Sequence, residues 1–180
     1  MHRYGGREMA IGFRTVRANT LTIAQDIGEE HYGFTAAPDV RSVGQLLVHI
    51  AFVPSLQAGI HQQGITDLKQ VNFPEWVAMI TGEEARSRSK AAILGLLRDE
   101  GEKFASYLDG LSDDFLVEEV ALPAADPRGR KTRMEMLMSP KEHEMHHRGQ
   151  LMLIERMLGI VPHMTRAMTE RMARAAAGRQ

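Results

Sequence analysis

Three histidines crowd into positions 143–147, in the run Ser139-Pro140-Lys141-Glu142-His143-Glu144-Met145-His146-His147-Arg148-Gly149-Gln150. His143 and His147 are four apart, so on a helix they stand one turn apart on one face, while His146 is rotated off that line. Two imidazoles one turn apart can share a metal ion. A third nitrogen is available from His49, the one other histidine that falls inside an apolar helical stripe. Burying an imidazole without a partner costs about 1–3 kcal/mol, so three on inward-facing positions ask for a common explanation, and a shared cation supplies one. The chain has no cysteine, which restricts metal ligands to histidine, carboxylate and water. Three neutral nitrogens leave at least one position open to water or substrate, the arrangement of a reactive site rather than a structural one. The set suits a divalent metal ion, zinc first, with nickel, iron or cobalt also fitting. Such an ion lowers the pKa of bound water to about 7 and can deprotonate a thiol outright.

The same run satisfies H-E-x-x-H, in which two histidines hold zinc and the glutamate is the general base of a metallopeptidase. Its surroundings argue against that use. The extended motif wants a histidine six residues beyond His147, where this chain has Leu153, and Glu170, a distant acidic substitute, lies beyond Pro162 in the tail. No strand-rich region precedes the helix, so a metallohydrolase ranks behind a site built from His49, His143 and His147. Candidate catalytic groups beside the ligands are Glu144 as a base, Arg148 as the holder of an acidic substrate group and Gln150 as a donor behind a ligand, each with an ordinary structural reading. Gly149 is expected to allow close helix approach. His31, His61 and His163 fall in connections or at helix ends and are expected at the surface.

Positioning these groups is work for helices. Met9, Phe13, Val16, Ile23 and Ile27 recur at three- and four-residue steps and predict a first helix over about 7–28. After a connection carrying Gly33 and Pro38, expected to be packed by Tyr32 and Phe34, Asp39 or Ser42 can cap a second helix to about Gln63, bent near Pro54. Residues 64–82 read as a connection with a short helix at 74–80. Thr81 with Glu84 has capping-box spacing and predicts the start of a long third helix ending near Gly110. Weak two-residue alternation in 113–130, among Pro123, Pro127 and Gly129, predicts a loop or minor hairpin. Ser139 with Glu142, and Pro140 at a first helical position, place the start of the fourth helix at about 140, after a short turn at Met134–Met138; Gly159 and Pro162 mark its end. Its inner line runs His143, His147, Leu151, Ile154, Leu158. A fifth helix is expected over Thr165–Ala177.

These elements predict an all-α antiparallel four-helix bundle with a long connection or minor hairpin between helices 3 and 4 and a C-terminal extra helix. A chain of 180 residues, 43% of them apolar, is expected to form a single domain, with a core over about 7–160 and a tail over 161–180. With 22 basic and 23 acidic residues the formal charge is −1, which favours neither nucleic acid nor an anionic membrane as partner. Met1-His2-Arg3-Tyr4 has no basic leader ahead of an apolar core, and no run is read as approaching the roughly 20 apolar residues that span a bilayer. A soluble, cytoplasmic protein is expected.

His49 and the run His143-Glu144-Met145-His146-His147-Arg148-Gly149-Gln150 together resemble the DinB/YfiT-like family of four-helix-bundle metalloenzymes, over roughly residues 7–160. The most specific part is H-x-x-x-H-R-G-Q, matched by His143, His147, Arg148, Gly149 and Gln150. The resemblance implies that His49, His143 and His147 are the metal ligands, the set already reached from spacing, and that the chain forms a homodimer. Relatives include metal-dependent thiol transferases and a mycothiol-dependent isomerase. A thiol S-transferase or related enzyme is thus implied, acting on a small-molecule substrate with a low-molecular-weight thiol that attacks an electrophilic carbon as thiolate. The non-catalytic alternative is a metal-binding or stress-response bundle, in which a fourth protein ligand closes off the ion; a cavity at the open position distinguishes the enzyme.

Overall fold

The computed structural model describes residues 4–178; residues 1–3, which begin the segment read for a leader, and 179–180 of the tail lie outside the described residues. In chain order the elements are α1 (Gly6–Asp26), α2 (Val43–Gln62), α3 (Phe73–Ala85), α4 (Lys90–Asp109), α5 (Asp113–Leu116), β1 (Glu119–Ala121), β2 (Arg130–Thr132), α6 (Arg133–Met157) and α7 (His163–Ala177). The four long helices α1, α2, α4 and α6 make the bundle. Its upper core gathers Ile23, Leu47, Ile50, Leu97, Leu151 and Ile154, and its lower core Met9, Phe13, Phe104, Leu108 and Leu137, with the Phe13 and Phe104 rings edge to face at 4.9 Å.

Side-chain pairings give the helix directions. Phe13 meets Phe104 and Lys90 Nζ donates to the Ile27 carbonyl at 2.7 Å, so α1 and α4 run antiparallel. His49 stands beside His143 and His61 beside Arg133, so α2 and α6 also run antiparallel. A Cβ on Gly44 would touch Ile93 near the start of α4, and one guanidinium spans the Ile50 and Leu97 carbonyls, so α2 and α4 are parallel neighbours. Parallel neighbours cannot be joined by a tight turn. The α2 to α4 link is accordingly long, and it carries α3 back along α2, which brings Glu84 to His49.

Two helix starts differ from the sequence expectation. α6 begins at Arg133, not at about 140: Thr132 and Glu135 form the capping box, with the Glu135 amide donating to Thr132 Oγ1 at 3.2 Å and the Thr132 amide to Glu135 Oε2 at 2.8 Å. Ser139 and Pro140 therefore lie inside the helix, and the expected turn at 134–138 is helical. Pro140 withholds one backbone hydrogen bond, but Met136, Leu137 and Pro140 are buried, and that packing carries the helix through. Likewise Thr81 and Glu84 do not open the third bundle helix; they end α3, which is longer than the expected 74–80, and α4 starts at Lys90 behind Ser89, whose Oγ accepts the Ala92 amide at 3.3 Å. The second helix starts as expected, capped by Ser42 rather than Asp39 and with Gln45 completing the box.

Residues 113–130 hold the short α5 and one arm of a minor hairpin, with Val120 opposite Lys131. The end of α6 is also as expected: Gly159 takes φ 78°, and the Ile160 and Gly159 amides close back on the Glu155 and Arg156 carbonyls at 2.8 and 3.1 Å. α2 corrects the bilayer count, since this 20-residue helix contains an 18-residue window with a mean hydropathy of 1.4 and passes by length and composition. It packs against α3, α4 and α6, and a helix enclosed on several sides is apolar around most of its circumference.

Candidate metal centre

The antiparallel crossing of α2 and α6 brings His49 against His143 and His147. The Nε2 atoms of His49 and His147 stand 3.1 and 3.0 Å from His143 Nε2, and one ligand atom of each residue lies within 4.8 Å of the other two. Zinc–nitrogen bonds of 2.0–2.1 Å in a tetrahedron put neighbouring nitrogens about 3.3 Å apart, so the spacing fits a small divalent ion after shifts of a few tenths of an ångström.

The outer ring nitrogens explain why the inner ones are bare. His49 Nδ1 lies 2.8 Å from Glu84 Oε1, and His147 Nδ1 lies 2.8 Å from Gln150 Oε1. Both oxygens are acceptors, so each Nδ1 carries the proton and each Nε2 presents a lone pair inward. His143 Nε2 holds at most one hydrogen and can satisfy only one of its two neighbours. A shared cation satisfies all three, so the donor set fits a metal.

Burial is the largest influence on each ring and lowers all three, His143 to about 4, with the Arg41 charge lowering each further; at His49 and His147 the contacts with Glu84 and Gln150 oppose the shift in part. Neutral imidazole is the form that binds metal. Glu84 also accepts from Arg41 Nε at 2.8 Å, which ties the segment before α2 to α3 behind His49. A cleft of about 640 Å³ opens beside His147, lined by Arg41, Gln45, Leu46, Glu84, Gln150 and Leu153 among others. A second cleft, of about 590 Å³, lies between α2 and α3 around Trp76 and touches none of the three histidines.

The other candidates fare differently. Gln150 lies behind His147 as an acceptor, not a donor, toward its ring. Glu144 is 1% exposed and paired with Arg17 at 2.9 Å, so it faces the bundle interior and is not available as a base. Arg148 is half-buried and does not line the cleft beside His147. Gly149 is exposed, and a Cβ there would meet nothing within 4 Å, so no close helix approach depends on it. His146 is exposed, as its rotation predicts. His61 corrects the surface expectation: it is 1% exposed, with Nδ1 3.0 Å from Arg133 Nη1, because α5 lays Phe115 over that corner. His163 is half-buried against Asn19, with its Nε2 3.0 Å from Asn19 Oδ1. Sequence reasoning missed Glu84, Arg41 and Arg17. The usable signal was chemical, since a ligating histidine wants an acceptor behind it, but no local spacing points from His49 to Glu84.

Known proteins share this frame. The chain is 26% identical over 148 residues to the uncharacterized protein YjoA of Bacillus subtilis (strain 168), covering 82% of this chain and 86% of that one. The crystal structure of YjoA, a DinB-like protein, superposes with a TM-score of 0.61 at 23% identity, covering 84% and 92% of the two chains. YfiT from Bacillus subtilis, described as a probable metal-dependent hydrolase with an unusual four-helix bundle topology, gives a TM-score of 0.66 at 14% identity over 86% and 88%. The mycothiol-dependent maleylpyruvate isomerase gives 0.64 at 12% identity over 82% of this chain and 61% of its own. The DinB superfamily model matches residues 13–151, a span that holds His49, Glu84, His143 and His147 together, and the chain belongs to the DinB superfamily.

Proposed function

We propose that the chain is a metal-dependent enzyme acting on a small molecule in the cleft beside His147, as a thiol S-transferase or in a related thiol-dependent reaction, with zinc as the first candidate metal. The observation that carries this reading is the set of three inward Nε2 atoms, two with their protons fixed outward by Glu84 and Gln150, next to a cleft large enough for a substrate. His49, His143 and His147 would hold the ion. A divalent ion held there supplies positive charge that eases deprotonation of a thiol or a water.

The chain's own groups do the rest. Glu84 and Gln150 hold the imidazole tautomers, Arg41 offers a cation at the cleft wall, and Leu46, Leu153 and Ile154 give the cleft an apolar side. An isomerase that depends on mycothiol and a probable metal-dependent hydrolase on the same fold support this class of chemistry. Among the described residues only the three histidines form such a cluster, which favours an open position over the closed site of a metal-binding or stress-response bundle. A cytoplasmic setting accords with the absence of cysteine. Pairing of two copies accords with Met164, Met168 and Met172, one turn apart and exposed along α7; light scattering in solution tests it, and a monomer at working concentration refutes it.

The activity test is metal analysis and turnover together. Protein reconstituted with zinc, nickel, iron or cobalt should hold one ion per chain, lose it in His49→Ala, and consume cysteine, coenzyme A or glutathione with a chlorodinitrobenzene only when loaded. Full thiol-dependent turnover in metal-free protein refutes the reading.

A further inference from the structure

We infer that Arg17 and Glu144 are the positioning residues of the histidine site, a role that rests on the metal-site reading above. Arg17, on α1, is 4% exposed, and its Nε stands 2.9 and 3.1 Å from the two Glu144 oxygens, with Nη2 2.9 Å from one of them. Nη1 donates to the Leu97 carbonyl on α4 at 2.6 Å, and Nη2 to the Ile50 carbonyl on α2 at 3.2 Å. One planar group thus joins all four bundle helices at a single level.

Two otherwise unfavourable residues serve that contact. A carbonyl within a helix normally accepts the amide four residues on. For Ile50 that residue is Pro54, which has no N–H, so the carbonyl is free to take Arg17. On α4 a Cβ at Gly101 would come within 2.8 Å of Arg17 Nη1 and 2.9 Å of its Cγ, so only glycine lets the side chain pass. Proline and glycine both weaken helix interiors, and here both make room for or bind one guanidinium.

The attachment points sit next to the ligands. Ile50 follows His49, and Glu144 follows His143. Side-chain tips on a helix lie about 6 Å from its axis, so turning α6 by about 10° moves a histidine tip by about 1 Å, beyond the roughly 0.5 Å within which a binding constellation must be held. A buried ion pair is a weak source of stability compared with apolar packing of the same shape. What the pair supplies is the rotation and height of α6 against α2.

Cobalt(II) titration of the full chain, followed by visible absorption and checked by circular dichroism and thermal melting, tests this. The double variant Arg17→Met with Glu144→Leu should stay helical and melt cooperatively, yet bind cobalt about 10- to 100-fold more weakly than wild type. Gly101→Ala leaves every charge in place and improves helix propensity, so a merely structural role predicts no loss; the positioning role predicts weakening of about tenfold. Wild-type affinity in folded Gly101→Ala overturns the proposal, and that variant decides alone if the double variant does not fold. If wild type itself takes no cobalt, the metal-site reading fails and this role falls with it; if wild type and both variants bind alike, the positioning role alone falls.

Discussion

Glu155→Gln should stabilise the protein at alkaline pH and leave it unchanged in acid. Glu155 lies on α6 with 0% exposure, and neither of its side-chain oxygens has a partner among the described residues. Asp26 faces it from α1, Arg166 from α7 and Arg156 from its own helix. Burial first, then the Asp26 charge, raise the carboxyl from 4.5 to about 7, against partial opposition from the two arginines. A carboxyl held above its unfolded value favours the protonated folded state. Its contribution is complete below about pH 4.5 and is lost as the pH rises through about 7. The difference, 7 − 4.5, is 2.5 pKa steps of 1.36 kcal/mol, or about 3 kcal/mol, equivalent to roughly 6–12 °C in a chain of this size.

Glutamine keeps the shape and the neutral polar tip and cannot ionise. Wild type and variant melted side by side at pH 4.5, 6, 7 and 8 should therefore coincide at the first and diverge by about 3 kcal/mol at the last. The comparison must be made by difference, because His61 imposes an opposing slope on wild type in an overlapping window. A stability gap that does not grow with pH would refute the burial argument for Glu155.

The His61 imidazole, lowered from 6.5 to about 4 by burial and by the Arg133 charge, should stay neutral at pH 5; its stabilisation is complete above 6.5 and lost as the pH falls through about 4, and a nuclear magnetic resonance midpoint near 6.5 would contradict this. Glu84→Gln, which weakens the acceptor behind His49, should lower metal affinity by about 10- to 100-fold while melting within a few degrees of wild type, as read by competition with a chelating dye. Metal at a hundredfold excess over its dissociation constant should stabilise wild type by about 2.7 kcal/mol, seen as a rise in melting temperature that a chelator reverses and that His147→Ala abolishes.

What could be read from the sequence was what depends on neighbours within a turn or two. His143, His147, Leu151 and Ile154 share a face by spacing alone, and His49 belongs to an apolar stripe that any packed helix turns inward. The errors lie where two local signals compete or where a distant element decides. Thr132 with Glu135 and Ser139 with Glu142 both have capping-box spacing; the earlier one prevails because Arg133, Met136 and Leu137 find buried positions that only a helix starting there provides. Glu84 was claimed by the spacing to Thr81, whereas its partners His49 and Arg41 are set by the return of α3 along α2. His61 sits at a helix end, a position that spacing assigns to solvent, and it is buried because the chain later lays Phe115 and Arg133 over it.

Glu144 makes the same point about chemistry. In H-E-x-x-H the glutamate is a base only if the face it occupies opens on the substrate cleft. Along a helix it is rotated about 100° from His143 and about 60° from His147, so the face that points the histidines at α2 points the glutamate toward α1. There it meets Arg17, 127 residues away in the chain, in a dry interior where a lone carboxylate could not remain charged. The same five letters on a helix bordering open solvent would leave the carboxylate free to take a proton. Arg17 therefore decides the role of Glu144, and it makes a group that could have served catalysis into one that holds α6 in place.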